Sequence, residues 1–194
     1  YRNLLHGVAF DQITVQMNGS LEGLVIDQLS AVAVNGGTIE GTGQISFGED
    51  APLDIQVAFN NAQMVQSDLA DLILDGGLSL SGRLRDHLLA GALTVTEAEI
   101  RIPRRLPQSV ATLEVDEVVT DDADEMVEPT PPIITNLDIS INAPDRLFVR
   151  GLGLDVTLGG GVNLRGTAAK PDISGGFNLV QGRLDVAGQS WTFD

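Results

Sequence analysis

A chain of 194 residues that is 43% hydrophobic but only 4% aromatic takes its apolar character from Leu, Val, Ile and Ala. Its formal net charge of −16, with 27 acidic residues against 11 basic ones and Lys170 the sole lysine, offers no basic patch to neutralise phosphates, which argues against nucleic acid as a partner. Having no cysteine, it has no disulfide or thiol chemistry, and no run approaches the roughly 18 apolar residues of a membrane-spanning helix. The 22 glycines suit strands and turns better than helices, because each glycine inside a helix costs about 1 kcal/mol relative to Ala. No signal peptide is evident, and the chain opens at Tyr1 and stops in the strand-like run Ser190-Trp191-Thr192-Phe193, as expected of an excerpt from a longer protein.

Alternation of apolar and polar residues runs almost from end to end, and a period of two predicts strands with one greasy and one polar face. Ile13, Val15 and Met17 begin it, followed by Leu53, Ile55, Val57 and Phe59. Residues 64–74 permit either a short helix capped by Ser67 or a strand through Leu72 and Leu74. Leu78, Leu80 and Leu84 alternate with Ser79, Ser81, Arg83 and Arg85, and Leu93 and Val95 lead to Ile100 and Ile102. Residues 114–132 hold eight acidic residues, no basic one, and the close Pro129-Thr130-Pro131-Pro132, which predicts a mobile loop inserted between repeats. Alternation resumes with Leu137, Ile139 and Ile141, then Leu152, Leu154, Val156 and Leu158.

A repeat underlies this pattern. Residues 76–102 laid on 160–186 without a gap match Gly76, Gly77, Gly82 and Gly91 with Gly160, Gly161, Gly166 and Gly175. The same register sets Leu78, Leu80, Leu89, Leu93, Val95, Ile100 and Ile102 on Val162, Leu164, Ile173, Phe177, Leu179, Leu184 and Val186. A looser copy opens at Gly36-Gly37-Thr38-Ile39-Glu40-Gly41-Thr42-Gly43. Such repeats predict a stack in which each unit covers its neighbour.

Chemistry-bearing motifs are scarce. His6 and His87 lie far apart without companion ligands, so neither a zinc site nor a Ser-His-Asp arrangement is suggested. The cluster Asp121-Asp122-Ala123-Asp124-Glu125 lacks the glycine and spacing of a calcium loop and reads as a solvated charge run. Gly159-Gly160-Gly161 precedes no helix, which points to a turn or bulge and not a phosphate cradle. Asp54, Glu97 and Asp185 are too scattered to suggest a polysaccharide-cleaving enzyme. The expectation is a protein that is not an enzyme, with no cofactor and no metal.

What remains is a face. Its candidate lining residues are Leu78, Leu80, Leu93, Val95, Ile100, Leu137, Ile139, Ile141, Leu154, Val156, Val162, Leu164, Phe177, Leu179, Leu184 and Val186. They fit two architectures: the filled core of a structural β-solenoid or sandwich, such as an adhesin stalk, or the wall of an open trough. Periodicity by itself favours the filled core. Strands of five or six residues span roughly 17–20 Å, and a hydrocarbon leaflet is about 15 Å deep, so a trough one strand wide would house an acyl chain.

Several runs shift that balance. Ala98-Glu99-Ile100-Arg101-Ile102-Pro103-Arg104-Arg105-Leu106-Pro107 resembles a segment of TamB proteins, as does Leu137-Asp138-Ile139-Ser140-Ile141-Asn142-Ala143-Pro144-Asp145-Arg146-Leu147-Phe148-Val149-Arg150-Gly151. Gly153-Leu154-Asp155-Val156-Thr157-Leu158-Gly159-Gly160 and Gly175-Gly176-Phe177-Asn178-Leu179-Val180-Gln181-Gly182-Arg183-Leu184-Asp185 continue the series. The resemblance is strongest over 76–194, and earlier residues share only its style. It implies a periplasmic segment of a protein anchored in the inner membrane of a Gram-negative bacterium, working in the translocation and assembly module with the outer-membrane barrel partner TamA. It further implies similarity to AsmA-like bridge proteins, a folded-over all-β sheet with an apolar inner groove, and phospholipids or unfolded outer-membrane protein strands as cargo. On this basis residues 1–194 are expected to form one elongated, repeat-built β segment with an open trough.

Overall fold

A computed structural model describes residues 2–3, 8–48, 51–103 and 132–193. All regular structure among them is β: β1 (Arg2–Asn3), β2 (Val8–Gly19), β3 (Gly23–Ala33), β4 (Thr38–Ser46), β5 (Pro52–Gln66), β6 (Ala70–Arg83), β7 (Asp86–Arg101), β8 (Ile134–Gly151), β9 (Leu154–Thr167), β10 (Lys170–Val186) and β11 (Gln189–Phe193). They form one sheet in sequence order, and among the described residues β1 and β11 do not pair, so it is not closed into a barrel. Neighbours are antiparallel except β7 and β8, which run parallel from Asp86 beside Ile134 to Arg101 beside Arg150. A parallel pair needs a connection that returns along the strands, and the acidic segment expected to loop out falls in that connection, outside the described residues up to 131.

Three expectations are corrected. From β2 to β10 the strands are far longer than five or six residues: β4 has 9 and β8 has 18, or roughly 30 to 60 Å at about 3.3 Å per residue. No helix follows Ser67. Instead Ser67 closes a tight bend, its hydroxyl accepting the Ala70 N–H at 3.0 Å, and the flanking residues join β5 and β6. Leu84 and Leu152 leave the alternating runs and sit exposed in hairpin turns.

The repeat is a duplicated hairpin. From Ala70 to Leu154 and from Arg83 to Thr167 are both steps of 84 residues, so β9–β10 repeats β6–β7. Leu93 faces Gly76 as Phe177 faces Gly160, and the bulges at Thr96 and Val180 coincide in the two copies. Gly76, Gly91, Gly160 and Gly175 all have positive φ, and a Cβ on any of them would strike the neighbouring strand's backbone. The coil of each hairpin therefore requires glycine there. The looser copy does not belong to this scheme, because Gly36 lies in a turn. Gly159, Gly160 and Gly161 lie inside β9 and not in a turn; Gly159 faces the bulge of β8, where a side chain would collide with Asp145.

Bulges decide which residues share a face. Those of β5, β7 and β10 shift the alternation by one residue where the apolar residues also change phase, whereas the bulge of β8 takes in two extra residues and leaves Ile141, Ala143, Leu147 and Val149 in one phase. In β7 the phase passes from Leu93 and Val95 to Ala98 and Ile100 across Thr96, and in β10 from Phe177 and Leu179 to Leu184 and Val186 across Val180. β5 is bulged at Asn61 (φ 47) and β8 at Asp145 (φ 52). Asp75 on β6 ties two bulges together, accepting the Asn61 N–H and the Thr96 hydroxyl, both at 2.6 Å.

The hydrogen bond from Thr96, then that from Asn61, holds the Asp75 carboxyl below its ordinary value of 3.8. A depressed folded value means a contribution to stability that is present above about pH 4 and fades as pH falls through the lower folded value. Asp75→Ala is therefore expected to cost roughly 1.5–3 kcal/mol at pH 7, the range for hydrogen bonds to a charged group. In denaturant titrations the gap between parent and variant should narrow below about pH 3.8. A gap that widens in acid would contradict the assignment.

Candidate functional site

Pairing across the sheet sorts the side chains into rows. Leu29, Gly41, Val57, Leu78, Gly91, Ile139, Leu164 and Ile173 stand opposite one another from β3 to β10. Beside them run Ile55, Leu80, Leu89 and Leu137, and on the other flank Ile39, Phe59, Leu93, Ile141 and Val162. Beyond the bulges the same face continues as Leu72, Ala98, Leu147, Leu158 and Leu179, then Ile100, Val149 and Val156, then Leu154, Leu184 and Trp191. All the candidate lining residues fall on this one face, as period two and the bulges require, with Val186 one step beyond Leu184. Leu72, Leu74, Leu147, Val149 and Leu158 share it but are not among the candidate lining residues. Leu72, Leu74 and Leu158 continue an unbroken alternation on β6 and β9, and Leu147 and Val149 follow the break that Pro144-Asp145-Arg146 signals.

Burial on this face is uneven. Ala62 and Ala143 are essentially inaccessible, and Val95, Ala98 and Val156 are buried, whereas Ile100, Phe177, Leu179 and Val186 are exposed. Val95, Ala98 and Ala143 form a cluster with Leu72, Leu74, Ile141 and Leu147, directly at the bulges. No large side chain among the described residues is fully buried, so those residues lack the interlocked large aliphatics of a filled sandwich.

His87 and Thr135 are polar residues on this face, at the turn end of β7 and β8, and they share a hydrogen bond of 2.8 Å between Nε2 and the hydroxyl. The His87 Nδ1 is buried without a partner. His6 lies outside the described residues. Asp54, Glu97 and Asp185 stand on separate strands and are not brought together. Among the described residues no group of three or more His, Cys, Asp or Glu is placed to hold a metal. A depression of about 570 Å³ crosses β3 to β7 where Gly41, Ala58, Gly77, Ser79, Ala90 and Gly91 carry little side chain, and Leu78 is the one candidate residue bordering it.

The opposite face carries the charge. Glu99 bridges Arg101 on its own strand and Arg150 on β8, both at 2.8 Å, and Arg150 reaches Asp155 on β9 at 3.2 Å while lying over the Phe148 ring. Arg101 also pairs with Asp71 on β6. Hydrogen bonds from Arg101 and then Arg150 hold the Glu99 carboxyl below its ordinary value. This chain of ions clips the parallel pair β7–β8 at the end where the two resembling segments meet.

A family model described as the TamB C-terminal domain matches residues 27–193. The chain belongs to the TamB family. Membership ties it in general terms to the translocation and assembly module of the Gram-negative envelope, a transport and assembly apparatus. No curated protein and no solved structure matches it. No described helix is long and apolar enough to cross a membrane.

Because the ion pairs of this TamB segment are half-exposed, a double-mutant cycle of Glu99→Gln and Arg150→Ala should give a coupling of roughly 0.2–1 kcal/mol. High salt should reduce it, and a coupling of zero in low salt would remove the clip.

Proposed function

We propose that the aliphatic face is the inner wall of a groove that shields apolar cargo between inner and outer membrane, within a periplasm-spanning TamB protein that works with the barrel partner TamA. The observation that carries this reading is a face of aliphatic side chains continuous over successive strands, with no charged residue in its rows. Its concavity is supported by where burial falls. Small residues at the bulges, Ala62, Ala98 and Ala143, are buried on that face, as at the inside of a bend. Bulges sharpen bending and coiling of a sheet, and β2 touches β5 although two strands lie between them. Each strand would then supply two walls, each of roughly 25 Å for about seven residues, deeper than the roughly 15 Å of one hydrocarbon leaflet.

Acyl chains are the cargo that this chemistry suits best. Burying them gains about 25 cal/mol per Å² without any directional demand. A polypeptide laid on the same face would bring an N–H and a C=O per residue, and the paired strands beneath have no free ladder groups to offer. Each unsatisfied buried group costs about 1–3 kcal/mol. Nascent outer-membrane protein strands are the second reading, favoured by a different feature: Lys170–Gln181 of β10 has no ladder partner on its outer edge among the described residues, and an open edge takes a strand by pairing. No catalytic role is assigned to any residue.

In the intact protein, Leu154→Asp and Leu179→Arg should each cut phospholipid transfer between inner- and outer-membrane vesicles by about ten-fold, the effect of roughly 1.4 kcal/mol. Expression and melting temperature should stay near the parent's, because Leu179 is already exposed. Transfer that survives several such charges spread along the rows would end the groove reading.

A further inference from the structure

Resting on the acyl-groove reading, we infer that the groove is stopped on its β5 side by Phe10 and the β3–β4 turn, and unobstructed toward β10 and β11, so acyl chains lodge against β6–β10 and exchange on the β10 side. The asymmetry lies along the line of bulges. There, Ala62 on β5, Val95 on β7 and Ala143 on β8 are only 0%, 7% and 1% exposed, whereas Phe177 on β10 is 40% exposed.

Ala62 is hidden for an identifiable reason. β4 begins at Thr38, opposite Asn60, so β5 from Asn61 onward has no ladder partner on that side among the described residues. The β3–β4 turn fills the gap: the Asn35 side chain donates to the Asn61 carbonyl at 2.7 Å, and Gly37 packs so near that carbonyl that a Cβ would overlap it. β2 then curls inward, its bulge at Gln12 (φ 50) turning the strand, and Phe10 packs on the cluster of Ala31, Ile39 and Ala62. Aromatic bulk at that place occupies the volume that an acyl chain would need, since a packed interior leaves few voids. Toward β10 nothing equivalent intervenes among the described residues. Phe177 and Leu179 on β10, and Trp191 on β11, keep 40%, 47% and 44% of their surface exposed.

The test places a photo-crosslinking benzoylphenylalanine in the intact protein at Phe59, Leu93, Ile141 or Val162, which stand in one row, and at Ser140 and Asn163 on the polar face as controls. Irradiation is done with phosphatidylethanolamine vesicles carrying labelled acyl chains. Labelling at Leu93, Ile141 and Val162 should exceed that at Phe59 by about ten-fold, a difference worth roughly 1.4 kcal/mol. Phe10→Ala should raise the Phe59 yield to the level of Leu93, while Phe10→Leu, which keeps apolar bulk, should leave it low. An unchanged melting temperature in Phe10→Ala guards against simple unfolding. Equal labelling at Phe59 and Leu93 in the parent, or no response to Phe10→Ala, overturns the stop. Labelling of the whole row no higher than at Ser140 and Asn163 instead overturns the groove itself.

Discussion

In a single layer of sheet, whatever one face withholds from water must be hidden by bending the layer on itself or by a bound molecule, because no second layer exists to cover it. That constraint organises everything else here. Leu, Ile and Val stand on one face from β3 to β10, while the charges of Asp71, Glu99, Arg101, Arg150 and Asp155 stand on the other. The two least accessible side chains, Ala62 and Ala143, are small and sit at the bulges. The sheet therefore buries its greasy side only in part, and the rest remains apolar surface of the kind that marks a binding region.

The bulges and glycines are what let so long a sheet bend without losing its sidedness. A bulge that fell out of step with the sequence would turn aliphatic residues to the solvent. At Thr96 and Val180 it falls in step, and in both copies of the duplicated hairpin. Glycines at Gly76, Gly91, Gly160 and Gly175 supply the backbone shape that other residues resist. Asp75 then fixes the relation of two bulges on neighbouring strands with one carboxylate. Local chemistry and global curvature agree, as expected of a sequence that specifies its fold at several levels at once.

The absence of charged groups from the aliphatic rows also explains why chemistry was hard to find in this chain. A surface that holds hydrocarbon needs area and dryness, and both are spread over many residues, none of which is indispensable. A catalytic centre concentrates its signal in a few side chains of unusual type. A greasy face dilutes it, so its members look like any buried strand residue until pairing shows that they share a side.

Alternation, glycine phase and the 84-residue repeat were legible in the sequence because period two and positive φ are local properties, set by a residue and its immediate neighbours. They determined the all-β class, the duplicated hairpin and a consistent set of face residues from Leu78 to Val186, and the motif series determined the family. Three features were decided only by the tertiary structure. Strand length was one, since Gly76 and Gly91 continue a strand that glycine usually interrupts. The partition of Leu147 and Val149 onto the same face was another, because it depends on how many residues the β8 bulge absorbs against β9. The last was the parallel seam of β7 and β8, where Arg150 meets Glu99 across 51 positions of chain. Pairing partners distant in sequence are chosen by the whole sheet, and no window of local periodicity contains that choice.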